Sequence, residues 1–240
     1  MLETLKIKKK ECLSLTILFF VSVILRLPFL GYSDFYGDET KTFYWNKTIP
    51  AHEFLLSQRK GPVQFVVVWF TQELIGGFDE LLTRLPFALA GLGAIFAFYF
   101  FIKELFDWKV ASIASFLFSL TGFYIAFSRT IQYQSFLLLF GFLANWLFVT
   151  ARKVDKRKDL LFSLSGVSLA LAFLTHWDAV FFAIPIGFQI LYFFKDYRVK
   201  NLLLFFGIFI GAVSIFLLPY SVNGFLKDQT FRYIDRRISG

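Results

Sequence analysis

Apolar residues recur in eight runs along this chain, at about 13–30, 62–75, 82–102, 110–127, 134–150, 160–175, 179–194 and 201–219. A helix that crosses a bilayer needs about 20 residues, or roughly 17 when upright. Seven of the runs reach or approach that length. The run "PVQFVVVWFTQELI" at 62–75 is the shortest and contains Gln64, Gln72 and Glu73. The positions of lysine and arginine decide whether it crosses, because short cytoplasmic loops collect these residues. If 62–75 does not cross, segments 1–11, 103–109, 151–159 and 195–200 share one side. They hold Lys6, Lys8, Lys9 and Lys10; Lys103 and Lys109; Arg152, Lys153, Lys156, Arg157 and Lys158; and Lys195, Arg198 and Lys200. If it crosses, the three later basic loops move outside, against the rule. The pattern therefore predicts an all-α polytopic membrane protein with about seven transmembrane helices. Its N-terminus is cytoplasmic, and 62–75 is an interfacial or re-entrant helix in the first outer loop.

Composition agrees with this reading. Apolar residues make up 57% of the 240, phenylalanine supplies 36, and charged residues are 18%, against about a quarter in soluble domains. Mean hydropathy is +0.63. The single cysteine, Cys12, excludes a disulfide framework or a cysteine-based metal cluster. A net charge of +8 would fit a nucleic-acid partner, but the basic residues fall in the loops where topology puts them, so no nucleic acid is expected. The first apolar run lacks a small-residue cleavage site and reads as an anchoring helix.

This threading places Asp34, Asp38, Glu39, Lys60, Arg84, Arg129, Gln132, Gln134, His176 and Asp178 on the outer side. Polar groups near a membrane are costly, and ten at one face point to a site at the mouth of the bundle. The two histidines, His52 and His176, lack metal-site spacing. No metal ligand is therefore assigned, although a divalent metal beside Glu39 stays open.

Three stretches carry a family pattern. "GDE" at 37–39 follows a first helix ending "RLPFL". "RKGPVQFVVVWFTQELIGGFDELLTRLPFALAGL" occupies 59–92, and "RTIQYQSFLLLFGFLANW" occupies 129–146. In this order they resemble the membrane glycosyltransferases of the protein O-mannosyltransferase type, with the GT-C fold. That group includes the lipid A aminoarabinose transferases and the rhizobial core galacturonosyl transferases. The resemblance runs from about residue 12 to 240. It implies a single transmembrane glycosyltransferase-like domain over 1–240, the N-terminal portion of a longer enzyme and C-terminally incomplete.

The resemblance further implies a polyprenyl-phosphate sugar donor, a glycan, lipid or protein acceptor, inversion at the anomeric centre, and a cell-membrane location with the active face outside. It puts the catalytic residues at Asp38, as base, and Glu39 beside it. A carboxylate within hydrogen-bond reach takes the proton of an attacking hydroxyl, and a cation near the departing lipid phosphate lowers the barrier. Lys60 and Arg129 are the implied phosphate contacts. Gln132 and Gln134 stand where relatives carry a second acidic residue; they can hydrogen-bond sugar hydroxyls but cannot act as a base. His176 and Asp178, in "THWDAV", are candidates for the donor or acceptor site, with Asp178 a spatial substitute for the second carboxylate. The family's proline pair is reduced here to Gly61-Pro62. Two other functions compete with transfer: an accessory or truncated membrane subunit without activity of its own, and a transporter. The transporter is disfavoured because no charged residue lies mid-span and no paired broken helices are visible.

Overall fold

A computed structural model describes residues 9–45, 48–56, 58 and 61–222, the side chains of 218–222 excepted. Lys60, Lys6, Lys8 and the segment 223–240 lie outside the described residues. Among the described residues the regular structure is all helical. It comprises α1 (Lys9–Arg26), α2 (Ala51–Leu56), α3 (Pro62–Ile75), α4 (Glu80–Leu105), α5 (Trp108–Ser119), α6 (Gly122–Ser128), α7 (Gln134–Lys153), α8 (Lys158–Phe173), α9 (Val180–Tyr192) and α10 (Val199–Val222).

The apolar runs map onto these helices with two differences. The first run extends to residue 30, but α1 ends at Arg26. Pro28 disfavours helical backbone in the residue before it, and Phe29 sits at φ 59°. The run 110–127 is split into α5 and α6, bent by 69°. Thr121 there adopts an extended backbone ahead of Gly122. Among the described residues three helices are by themselves long and apolar enough to cross a membrane: Glu80–Leu105, Gln134–Lys153 and Val199–Leu217. The α5–α6 pair makes a fourth if it counts as one span. The 14 residues of α3 fall short of the ~20 that a span needs.

Helix direction alternates along the chain, and contacts at both ends fix the pairing. At one end Lys153 meets Glu104 (2.8 Å), Arg152 meets Asp196 (3.6 Å) and Lys200 meets Asp159 (2.6 Å). This end carries the lysine- and arginine-rich connections. In the middle, α4 packs on α7, α7 on α8 and α8 on α10. Phe148, Phe162, Phe205 and Ala144 form one fully buried cluster there, while Ile95, Tyr99, Ala94 and Leu18 form a second. Small residues let the helices approach: a Cβ on Gly166 would lie 2.7 Å from the Phe205 carbonyl oxygen. The opposite end gathers the described residues between 27 and 61, the turn 129–133 and the segment 174–179.

Candidate active site

The loop after α1 is organised by one side chain of α4. Arg84, 3% exposed, donates from Nε to Glu39 Oε1 (2.9 Å) and from Nη2 to Glu39 Oε2 (2.8 Å). Its remaining N–H groups reach the carbonyls of Leu30 (2.7 Å), Ser33 (2.8 Å) and Asp34 (2.9 Å). All five guanidinium donors are thus engaged, and the group also lies 5.3 Å from the centre of the Phe35 ring. Asp34 contributes its carbonyl to this arrangement, while its side chain is exposed.

Glu39 is 2% exposed. Besides Arg84, its Oε2 accepts the Tyr36 N–H (3.0 Å) and its Oε1 the Ile131 N–H (3.0 Å). A carboxylate offers about four lone-pair sites, and these four bonds occupy them. Burial pushes its carboxyl up. The Arg84 hydrogen bonds and the Tyr36 and Ile131 N–H groups outweigh burial and hold it below the ordinary carboxylate range. The residue expected beside the base as a catalytic partner is therefore placed as the anchor of the loop, with no lone pair left for a proton or a metal. Among the described residues no group of three or more His, Cys, Asp or Glu could hold a metal ion.

Asp38 occupies the opposite situation one residue earlier. Gly37 precedes it at φ 56°, a backbone that favours glycine. The turn closes through the Glu39 N–H to the Tyr36 carbonyl (3.1 Å). Thr40 Oγ1 donates to the Gly37 carbonyl (3.0 Å) and Thr42 Oγ1 to the Glu39 carbonyl (2.6 Å). Glu39 is pinned inward, and Asp38 at the turn keeps a side chain 51% exposed, paired with Lys41. One acidic residue holds the loop and its neighbour presents a carboxylate at the mouth of the bundle.

The turn 129–133 is held to this loop from two sides. The Ile131 N–H goes to Glu39, and the Ile131 carbonyl accepts from Gln64 Nε2 of α3 (3.2 Å). Arg129 donates to the carbonyls of Leu25 (3.2 Å), Pro28 (2.7 Å) and Phe29 (3.5 Å). The Leu25 carbonyl is one of those left open where α1 ends, and Pro28 and Phe29 follow shortly after it; a cation is favoured there. Arg129, expected at a phosphate, is thus seen capping α1. Gln132 is half-buried, with its N–H on the Thr130 carbonyl (2.9 Å). Gln134 opens α7, with a buried Oε1 that has no hydrogen-bond partner among the described residues.

The start of α3 is docked on the end of α8. The Gly61 N–H reaches the Thr175 carbonyl (3.2 Å) and the Val63 N–H the Leu174 carbonyl (3.2 Å). A Cβ on Gly61 would lie 1.9 Å from the Leu174 oxygen, so the approach requires glycine although its φ of −65° does not. Next to this contact, His176 stacks on Tyr133 with ring centres 4.0 Å apart and 14° between planes. Tyr133 donates to Asp178 Oδ2 (3.3 Å), and His176 Nδ1 accepts the Asp178 N–H (3.2 Å). Nδ1 also lies 3.1 Å from Asp178 Oδ2, so a proton on Nδ1 would be shared with that carboxylate. His176 and Asp178, two apart in sequence, do converge, with Tyr133 between them and the rest of the site.

Gln64 and Tyr133 are the members of this network that sequence reasoning does not assign to the site, while Arg84 is placed at the outer mouth without its role as the partner of Glu39. Gln64 had a signal, since an amide inside an apolar helix needs a partner. Tyr133 had only its place between Gln132 and Gln134.

Residues 59–222 match the family described as dolichyl-phosphate-mannose-protein mannosyltransferase. The chain belongs to this family. The loop carrying Asp38 and Glu39 lies just before the matched residues. A relative from Bacillus subtilis (strain 168), the candidate mannosyltransferase YkcB, is 28% identical over 196 residues, which is 76% of this chain and 24% of YkcB. Two solved structures share the fold. The archaeal oligosaccharyltransferase AglB from Archaeoglobus fulgidus, in complex with an inhibitory peptide and a dolichol-phosphate, has TM-score 0.64 and 16% identity. The likeness covers 88% of this chain and 29% of that one. The S. cerevisiae protein O-mannosyltransferase Pmt1–Pmt2 complex bound to the sugar donor has TM-score 0.66 and 18% identity. There it covers 95% of this chain and 34% of that one. The chain thus spans about a quarter to a third of the length of these relatives, and its apolar helices are those of a multi-pass membrane protein of the GT-C type.

Proposed function

We propose that the protein is a glycosyltransferase that moves a sugar from a polyprenyl-phosphate donor to an acceptor hydroxyl, with Asp38 as general base. The observation that carries this is the division of labour in the 36–42 loop. Glu39 is consumed by Arg84, Tyr36 and Ile131, which leaves the half-exposed Asp38 as the carboxylate presented at the end of the bundle. In the reaction the acceptor O–H gives its proton to the Asp38 carboxylate as the oxygen attacks C1. The bond from C1 to the phosphate oxygen breaks, its electron pair leaves with the lipid phosphate, and the single displacement inverts C1.

Lys60 is assigned to the leaving phosphate. A lysine ammonium beside the departing phosphate would lower the barrier. Arg129 adds its charge to the same end while capping α1. Gln132, Gln134, His176 and Asp178 are assigned to the sugars, supported by their convergence around the 129–133 turn. The lysine and arginine loops gather at the opposite end, which supports a cytoplasmic position for that end and an outer position for the site. Donor lipid, acceptor (glycan, lipid or protein) and cell membrane follow as the proposed surroundings. Asp38→Asn in the full-length protein tests the base. Transfer from a polyprenyl-phosphate mannose is expected to fall by two to four orders of magnitude, about the worth of a positioned base, with membrane accumulation unchanged. Undiminished transfer would remove Asp38 from this role.

A further inference from the structure

The turn between α8 and α9 gives one histidine nitrogen two incompatible partners. His176 has extended backbone and opens the short turn Trp177–Ala179, where its Nδ1 accepts the Asp178 N–H (3.2 Å). A ring nitrogen that accepts carries no proton, so this bond requires the neutral imidazole with its hydrogen on Nε2. The same Nδ1 lies 3.1 Å from Asp178 Oδ2, a contact that becomes a hydrogen bond only when Nδ1 is protonated. The protonated ring would then point a hydrogen of its own at the Asp178 N–H. One nitrogen cannot serve both partners, and the proton decides between them.

Each state has its own support. The neutral ring caps the turn. The charged ring gains the carboxylate and lies flat on Tyr133, centres 4.0 Å apart and 14° between planes, where a cation is favoured. Tyr133 also holds that carboxylate in place, its hydroxyl donating to Asp178 Oδ2 (3.3 Å). The other elements packed here add no acid or base. The last turn of α8 (170–173) and the first turns of α9 (180–183), α7 (134–137) and α3 (62–65) contain none. Arg59 and Lys60 lie outside the described residues. An imidazole in such surroundings changes charge between about pH 5 and 8. What the turn carries gives this a consequence. The Leu174 and Thr175 carbonyls, immediately before His176, receive the Val63 and Gly61 N–H groups (3.2 Å each).

We infer that His176 is a positioning residue that keeps α3 docked on the end of α8 while neutral and releases it on taking a proton. A proton from solvent binds Nδ1, which exchanges the Asp178 N–H for Asp178 Oδ2. The turn loses its cap, and the Leu174 and Thr175 carbonyls shift away from Val63 and Gly61. The proton favours the undocked state, so the dock holds above the transition and is lost as pH falls through it. The consequence for transfer, a loss of activity on mild acidification, rests on the glycosyltransferase reading. The release of the dock does not.

The test uses the full-length protein in lipid nanodiscs. Hydrogen exchange of peptides covering 61–66 and 174–180 is followed from about pH 7.5 to about 5.5 and corrected for the intrinsic pH dependence of exchange. Protection of the Gly61 and Val63 amides is expected to fall about fivefold across this window, the equilibrium worth of one cap. His176→Asn keeps a side-chain acceptor for the Asp178 N–H but cannot titrate, so its protection is expected to stay high and flat. Asp178→Asn keeps the backbone N–H and removes the anion, so its transition is expected to move to lower pH. That shift decides alone if His176→Asn fails to accumulate. Protection indifferent to pH in the parent, or the same fall in His176→Asn, would overturn the inference. Protection lost at every pH in His176→Asn would overturn it too, since the ring would then be a packing element. None of these readouts involves transfer, so failure of the Asp38 assignment leaves them untouched.

Discussion

Arg84 and Glu39, 45 residues apart, form a bidentate ion pair at 2.8 and 2.9 Å with side chains 4% and 2% exposed. Burying two charges is costly, and the cost is offset only when the other donors and acceptors of both groups are satisfied. Here they are. The guanidinium holds three loop carbonyls, and the carboxylate holds two backbone N–H groups. The pair fastens the 30–39 loop to α4 and, through Ile131, to the turn before α7.

Removing one partner leaves the other charged, buried and alone, which costs roughly 3–5 kcal/mol. Glu39→Ala and Arg84→Ala are each expected to lower the thermal midpoint of the purified protein markedly. Arg84→Lys should recover little, because an ammonium offers three donors to five acceptor positions and cannot form the planar fork. The double variant Glu39→Ala/Arg84→Ala should be less unstable than the sum of the single ones. Additive losses in this cycle would mean that the two residues act independently.

The lowered pKa of the Glu39 carboxyl makes the loop pH-dependent in one direction. A group whose folded value lies below its unfolded value stabilises the fold above the unfolded value, about 4.3 for glutamate. That contribution is lost as pH falls through the lower folded value. Loop protection, followed by hydrogen exchange of peptides covering 31–45, is expected to be flat from neutral pH to about 5 and to fall below ~4. Glu39→Gln should remove this acid limb. A limb that persists in the variant would assign it to another carboxylate.

The helices of this fold were legible because hydropathy reports them directly. The run 62–75 coincides with α3, bounded by Pro62 at its first turn and Gly76 in left-handed backbone at its end. The break between α5 and α6 was not legible, since 110–127 is continuously apolar and the bend depends on local backbone choice at Thr121. Within the site, the family resemblance named Asp38 as the base and set Glu39 beside it as a catalytic residue, without showing that Glu39 anchors the loop. Which of them turns inward depends on Arg84, whose approach is a property of tertiary structure. Arg129 shows the same limit from the other side: an arginine at a membrane boundary suits a phosphate and a helix end equally, and the carbonyls of Leu25, Pro28 and Phe29 are what it meets.

Gly61 reports whether α3 needs its dock on α8. Alanine there would put a methyl group 1.9 Å from the Leu174 oxygen, and backbone on one side leaves no flexible side chain to yield. The Gly61–Thr175 bond would have to lengthen, at a cost at or above the ~1–3 kcal/mol of ordinary overpacking. Gly207→Ala in α10, where nothing lies within 4 Å of the new methyl, should be neutral or stabilising by up to ~1 kcal/mol. Thermal midpoints of the two variants check the contrast. Equal behaviour would show that the α3–α8 contact yields freely.

Gln64 is fully buried, with Nε2 on the Ile131 carbonyl and Oε1 without a partner among the described residues. Leucine at this position would remove a donor, leaving the Ile131 carbonyl short by about 1–3 kcal/mol. It would also remove an unsatisfied acceptor, recovering an amount of the same order. The two nearly cancel, so Gln64→Leu is expected to change stability by less than about 1 kcal/mol. Gln64→Glu keeps the shape but buries an ionised group with no cation assigned to it, and is expected to cost several kcal/mol or to hold its proton. Denaturant titration in matched detergent separates the two. A loss above ~2 kcal/mol for Gln64→Leu would mean that Oε1 has a bound donor in the working protein, which would make Gln64 a contact rather than a strut.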